Sequence, residues 1–85
     1  MTQDNTLKWV TAASVGDDYK IELTFNDGCV RVCDCKPLID SNKFFAPLAD
    51  KSVFDRFSLD GWTVCWLNGT IDIAPEYLYE NGVEK

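Results

Sequence analysis

The residues of this chain best equipped for chemistry are its four cysteines, Cys29, Cys33, Cys35 and Cys65. Cys29, Cys33 and Cys35 share one parity along a single extended run, so their thiols point to one face, and Cys65 falls in a second run able to lie beside it. Four thiolates converging in that way would hold zinc or an iron–sulfur cluster, or would act as a redox group. The spacing argues otherwise. Structural zinc sites present paired knuckles with two residues between the cysteines, whereas the gaps here are three and one, and the chain has no histidine to stand in. The simpler expectation is free thiols that behave as small, buried hydrophobes, with no cofactor.

The absence of histidine also removes the usual neutral-pH proton shuttle and both the Cys–His and Ser–His pairs. The acidic pair Asp17-Asp18 falls in a turn, where nothing buries two carboxylates and separates their pKa values. Catalysis is therefore not expected. The binding candidates are Asp72, Glu76 and Tyr79, polar or amphipathic groups around a proline-initiated turn, although Asp72 and Glu76 are also suited to cap or brace that turn. Trp62 and Trp66 fall on one strand face with Val64, and Trp9 falls in the first strand. Such bulk is expected in the core before an interface. Tyr77 and Tyr79 each carry a hydroxyl that favours a half-wet site.

The elements that position these residues come from two similar stretches, Ile21-Glu22-Leu23-Thr24-Phe25-Asn26-Asp27-Gly28 and Trp62-Thr63-Val64-Cys65-Trp66-Leu67-Asn68-Gly69. In each, apolar residues alternate, an aromatic closes the run and a glycine follows three residues later. The alternation then resumes at Val30 and Val32, and at Ile71 and Ile73. This is the pattern of two β-hairpins. Tyr19, Ile21, Leu23 and Phe25 share the inner face of the cleanest strand, Leu7 to Ala12 reads as a first strand, and Gly16-Asp17-Asp18 as a turn. After each hairpin a proline opens a short helical turn, at Pro37 and at Pro75. Between the hairpins, Phe44, Phe45, Leu48, Val53, Phe54 and Phe57 recur at helical spacing, broken near Pro47, with Asp50 placed as N-cap for Lys51 to Arg56. The expected fold is α+β: an antiparallel sheet from two similar β-hairpin halves plus short helices, in one two-layer domain. Residues 1–6 read as a flexible lead-in, 7–79 as the domain and 80–85 as a flexible tail.

An 85-residue chain with 46% hydrophobic residues can build one modest core, and dimerisation is a reasonable way to bury more apolar surface. Its 14 acidic residues against 8 scattered basic ones give a net charge of −6, which opposes direct nucleic-acid binding and favours encounter with a basic protein. No apolar run approaches a membrane span, and the N-terminus lacks a secretion pattern, so a soluble cytoplasmic protein is expected.

Several motifs together resemble a small prokaryotic family, domain of unknown function 2442. They are Phe25-Asn26-Asp27-Gly28, Arg31 with Asp34 and Lys36-Pro37-Leu38, then Phe45-Ala46-Pro47-Leu48-Ala49-Asp50 with Phe54. Trp66 with Gly69 follows, and Asp72-Ile73-Ala74-Pro75-Glu76-Tyr77-Leu78-Tyr79 closes the set. The resemblance runs from about Val10 to Tyr79, and its last motif is the most specific. It implies an α+β fold and no established activity. It also implies that stand-alone members are often encoded beside another small protein, as in toxin–antitoxin pairs. The functional expectation is thus a non-enzymatic protein-binding module, the acidic partner of a small basic protein. The alternatives are a metal or redox protein built on Cys29, Cys33, Cys35 and Cys65, and a small-molecule sensor with its ligand between the hairpins and the Phe44 to Phe57 helix.

Overall fold

The computed structural model describes residues 8–85; the expected lead-in and Leu7 lie outside the described residues. Strand β1 (Val10–Val15) is shifted from the expected Leu7 to Ala12, because Val10 enters the core and donates its N–H to the Trp62 carbonyl at 2.9 Å. Strand β2 (Lys20–Phe25) buries Ile21, Leu23 and Phe25 on one face, as its alternation requires. It pairs antiparallel with β1 and with β3 (Val30–Asp34). Helix α1 (Lys36–Ser41) follows, then a 3-10 turn over Lys43–Ala49 and helix α2 (Lys51–Phe54). Strands β4 (Ser58–Leu59), β5 (Val64–Trp66) and β6 (Ile71–Asp72) precede helix α3 (Pro75–Asn81) and strand β7 (Val83–Glu84). Two antiparallel sheets result, ordered β1-β2-β3-β7 and β4-β5-β6.

The two halves repeat in detail. At the first hairpin Gly28 donates to the Phe25 carbonyl at 2.9 Å, and at the second Gly69 donates to the Trp66 carbonyl at 3.1 Å. Both glycines sit at φ +85°, a conformation that a Cβ would strain. Both hairpins lead into a helix with proline in its first turn, α1 and α3. One continuous core joins them: Ile21, Leu23 and Phe25 from the first sheet and Val64, Trp66 and Ile71 from the second, with Leu48, Phe54 and Leu78 from the helical segments. Trp66 stacks on Phe54, with centroids 5.6 Å apart, and donates its indole N–H to the Phe54 carbonyl at 2.9 Å. That bond satisfies a polar group which burial would otherwise penalise.

Four expectations are corrected. The apolar run from Phe44 to Phe57 does not form one helix: Pro47 keeps its first part in a 3-10 turn, and extended backbone at Asp50 separates it from α2. Asp50 is the expected N-cap, its carboxylate accepting from Ser52 N at 3.0 Å, but Phe44 is 54% exposed. Trp62 does not share the strand with Trp66, because Asp60 Oδ1 binds the Trp62 and Thr63 amides and holds that residue in a turn. Of the three tryptophans only Trp66 is core; Trp9 and Trp62 are 36% and 38% exposed and stack on each other. Residues 80–85, expected as a tail, instead carry the end of α3 and strand β7, which pairs Val83 with Val32 and Glu84 with Arg31.

Truncating Trp66 to alanine removes the stack, the indole hydrogen bond and the largest fully buried side chain together. Its expected cost is about 3–5 kcal/mol, against the roughly 5–15 kcal/mol that stabilises a typical domain. Urea denaturation of Trp66→Ala should therefore show a midpoint far below the native one, whereas Trp62→Ala should unfold close to the native midpoint.

Candidate functional site

Of the binding candidates, Tyr79 is the one on which distant segments of the chain converge in space. Its ring packs edge-on against Phe25 at 4.9 Å, and the Arg31 guanidinium lies over it at 4.0 Å from the centroid. Lys8 Nζ lies 5.2 Å from the same centroid. The Tyr79 hydroxyl donates to Asp27 Oδ2 at 2.9 Å, and Lys8 Nζ is 3.3 Å from that oxygen. Asp27 Oδ1 accepts from the Cys29 amide at 2.9 Å, which fixes the β2–β3 turn. Arg31 Nη1 donates to the Tyr79 carbonyl at 2.7 Å and to the Gly82 carbonyl at 3.5 Å, reaching the end of α3. Cations favour such helix C-termini, where carbonyls lack partners within the helix.

Gly82 is part of the same clasp. A Cβ there would lie 2.7 Å from the Leu78 carbonyl oxygen and 2.9 Å from Arg31 Cβ, so only glycine lets the chain turn from α3 into β7 over Arg31. The amide of Cys29, helped by the Tyr79 hydroxyl and Lys8, holds the Asp27 carboxyl below its ordinary range. The hydrogen bond to Asp27 in turn raises the Tyr79 hydroxyl. The arrangement keeps both groups in the protonation state that fastens α3. It has the form of a brace, with its polar atoms directed at one another.

Asp72 and Glu76 do not join this cluster. Asp72 is exposed on β6 opposite Cys65, and the N-cap of α3 is Ala74 with no side-chain cap, so Asp72 does not cap the helix. Glu76 is exposed in the first turn of α3, where the helix dipole favours a carboxylate. Tyr77 and Tyr79 are half-buried. Lys8, Asp27, Arg31 and Gly82 were not legible as partners of Tyr79, because Asp27 reads as turn chemistry and the contact spans 52 positions. The available signal was that Asp27, Arg31 and Tyr79 all sit inside the motifs of the family resemblance.

The cysteines do not converge. Cys33, Cys35 and Cys65 are buried free thiols and Cys29 is half-buried, its sulfur 3.8 Å from Glu84 Oε2. Cys65 lies in the second sheet, 3.5 Å from Ser58 Oγ. The interaction between the neighbouring Cys33 and Cys35 thiols lowers the first and raises the second, burial adding to the rise. Among the described residues no group of three or more Cys, Asp or Glu could hold a metal ion. The space between the hairpins and the Phe44 to Phe57 segment is filled by Leu48, Phe54 and Trp66. A groove of about 450 Å³ instead lies on the outer face of the first sheet, lined by Val32, Val83, Pro37 and Tyr77 with Lys20 and Asp34. Among the described residues no helix is long and apolar enough to cross a membrane.

Compared with known families, residues 10–84 match one described as a protein of unknown function, DUF2442. No curated protein and no solved structure matches the chain.

The brace gives a pH dependence with a definite sign. The Asp27, Asp50 and Asp60 carboxyls all lie below the ordinary aspartate value of 3.8 in the folded state, each bound to turn hydrogen-bond donors. Their contribution is fully present above that unfolded value and is lost as pH falls through the lower folded values. Stability should therefore drop on acidification below about pH 4, and Asp27→Asn should lessen the drop, as read by thermal unfolding from pH 2 to 7. Tyr79→Phe, which keeps the ring and removes the hydroxyl, is expected to lower the thermal midpoint at pH 7, as read in the same experiment.

Proposed function

The chain belongs to the DUF2442 protein family, and from that premise we propose that it is a small non-enzymatic binding module whose partner is a basic protein. What supports this reading is the net sign of the surface charge, 14 acidic residues against 8 basic ones; among the basic residues Lys20, Lys36 and Lys43 are exposed cations and the rest are engaged within the fold. Lys8 is paired with Asp27, Lys51 with Asp55 at 2.6 Å and Lys85 with Glu22 at 2.9 Å. Arg31 is committed to the carbonyls ending α3, and Arg56 Nε donates to the Ser52 carbonyl at 3.1 Å. The side chains of Asp72, Glu76 and Glu80 are exposed and make no hydrogen bond or ion pair among the described residues. Glu76 and Glu80 are four residues apart on α3 and so share a helix face. The uncompensated surface is thus anionic, and such a surface attracts a cationic one over long range.

The exposed Trp9–Trp62 stack, with centroids 6.0 Å apart, supplies a second feature suited to a protein interface, since tryptophan is frequent among residues that dominate binding energy. A lysine or arginine of a basic partner could dock on those ring faces. In this reading the chain is the acidic half of a toxin–antitoxin-like pair. The outer groove of about 450 Å³ favours a second reading, a sensor for a small apolar ligand, because its floor is apolar and its rim carries one cation and one anion.

Co-purification with the product of the adjacent gene, at low salt, tests the first reading. The complex is expected to form, and its association rate to fall about tenfold or more between about 50 and 500 mM salt. The double variant Glu76→Lys with Glu80→Lys should slow association at low salt to a similar degree. Absence of any complex at low salt overturns the reading.

A further inference from the structure

We propose that the outer groove binds a free α-amino acid with an apolar side chain, held where β7 stops and the edge of β3 is left unpaired. This rests on the reading of that groove as a ligand sensor and names the class of ligand it takes. The main-chain parity of β3 follows from two bonds. Phe25 donates to the Cys29 carbonyl and Cys35 to the Tyr19 carbonyl, so the odd positions from Cys29 to Cys35 turn their N–H and C=O groups toward β2. Val30, Val32 and Asp34 turn theirs the other way.

Val30 accepts from the Lys85 amide at 3.0 Å and Val32 lies opposite Val83, but the ladder ends there. Continued in the same register it would set residue 81 opposite Asp34, and Asn81 is instead the last residue of α3. The Asp34 N–H and C=O therefore face the groove with no hydrogen-bond partner among the described residues. Two charges flank them. Lys20 lies opposite Asp34 in the β2–β3 ladder, and both side chains are exposed. The Lys20 ammonium makes no hydrogen bond or ion pair among the described residues, and the Asp34 carboxylate accepts one bond, from the Lys36 amide at 3.0 Å.

A free amino acid answers all four groups at once. Lying opposite Asp34 as a strand residue would, it donates an ammonium N–H to the Asp34 carbonyl and accepts the Asp34 N–H with its carboxylate. Its carboxylate then falls to the side of the Lys20 ammonium, and its ammonium to the side of the Asp34 carboxylate. Directly opposed residues send their side chains to one face, so the ligand's side chain lies beside Val83 and Val32, with Pro37 and Tyr77 as further apolar walls. The volume of about 450 Å³ suits a molecule of that size. A neutral apolar ligand would leave both charges without a partner, and a residue inside a peptide lacks the terminal charges that meet them.

The experiment is an NMR titration of the full chain, followed through its backbone amides, with four probes that share one branched side chain. They are L-leucine, isocaproate without the ammonium, isoamylamine without the carboxylate, and isoamyl alcohol without either charge. L-Leucine is expected to shift the Asp34 and Val83 amides saturably and to slow hydrogen exchange at Asp34. Isocaproate and isoamylamine should each bind about tenfold or more weaker, because each leaves one main-chain group and one charge unanswered. Lys20→Met changes an exposed side chain that has no partner, so the fold is kept. It should weaken L-leucine about fivefold or more and leave isoamylamine unchanged. Equal affinity for L-leucine and isoamyl alcohol overturns the proposal and leaves the sensor reading standing. If no probe shifts a groove residue, both fall, and L-leucine binding without protection of the Asp34 amide overturns the proposal alone.

Discussion

The contact between Trp66 and Phe54 holds the two halves of this protein together. The second sheet has strands of two, three and two residues, too short to be stable alone. It exists because Trp66 is carried into a core that the first sheet has already lined with Ile21, Leu23 and Phe25. Phe54, at the end of the four-residue helix α2, provides both the stacking surface and the carbonyl that receives the indole N–H. Tyr19 packs edge-on against the same Phe54 ring and donates its hydroxyl to the Ala49 carbonyl, so the first sheet, the 3-10 turn and the second sheet meet at one residue.

A second, polar fastening secures the end of the chain. Arg31, Asp27 and Tyr79 tie α3 and β7 to the β2–β3 hairpin, and Gly82 lets the backbone pass closely enough for Arg31 to reach two carbonyls. Apolar burial there is limited, because Val83 is 72% exposed, so these hydrogen bonds and the two-residue ladder of β7 do more of the work. Local opening should concentrate in this segment, which depends on side-chain bonds near solvent rather than on buried area. The surface outside the brace is left with anionic side chains and an exposed tryptophan pair. Exposed tryptophans are frequent among residues that dominate binding energy at protein interfaces.

Much of the architecture was legible in local pattern. The alternation around Phe25 and Trp66, the glycines three residues beyond them, the prolines that open α1 and α3 and the cap at Asp50 all work over a few residues, within reach of a linear reading. The candidate site was legible only in part. Tyr79 was identified through its motif and its amphipathic character, but its partners Asp27 and Arg31 were read as a turn residue and a strand residue. Asp72, named for the same motif, stands apart from the cluster, since β6 is short and presents it to solvent. The tryptophans were misjudged for a related reason. Composition placed all three inside, whereas Asp60 binds the Trp62 amide and leaves that ring on the surface against Trp9.

By itself the amino-acid order determined the two-hairpin repeat, the α+β class, the acidic surface and the lack of histidine chemistry, because each follows from side-chain type and short-range spacing. Only the tertiary structure decided that the four thiols do not converge on one point and that Val83–Glu84 closes the first sheet as β7. Those outcomes depend on which distant segments meet. That is set by how one small core fills its volume and by where the backbone groups left at its margins find partners.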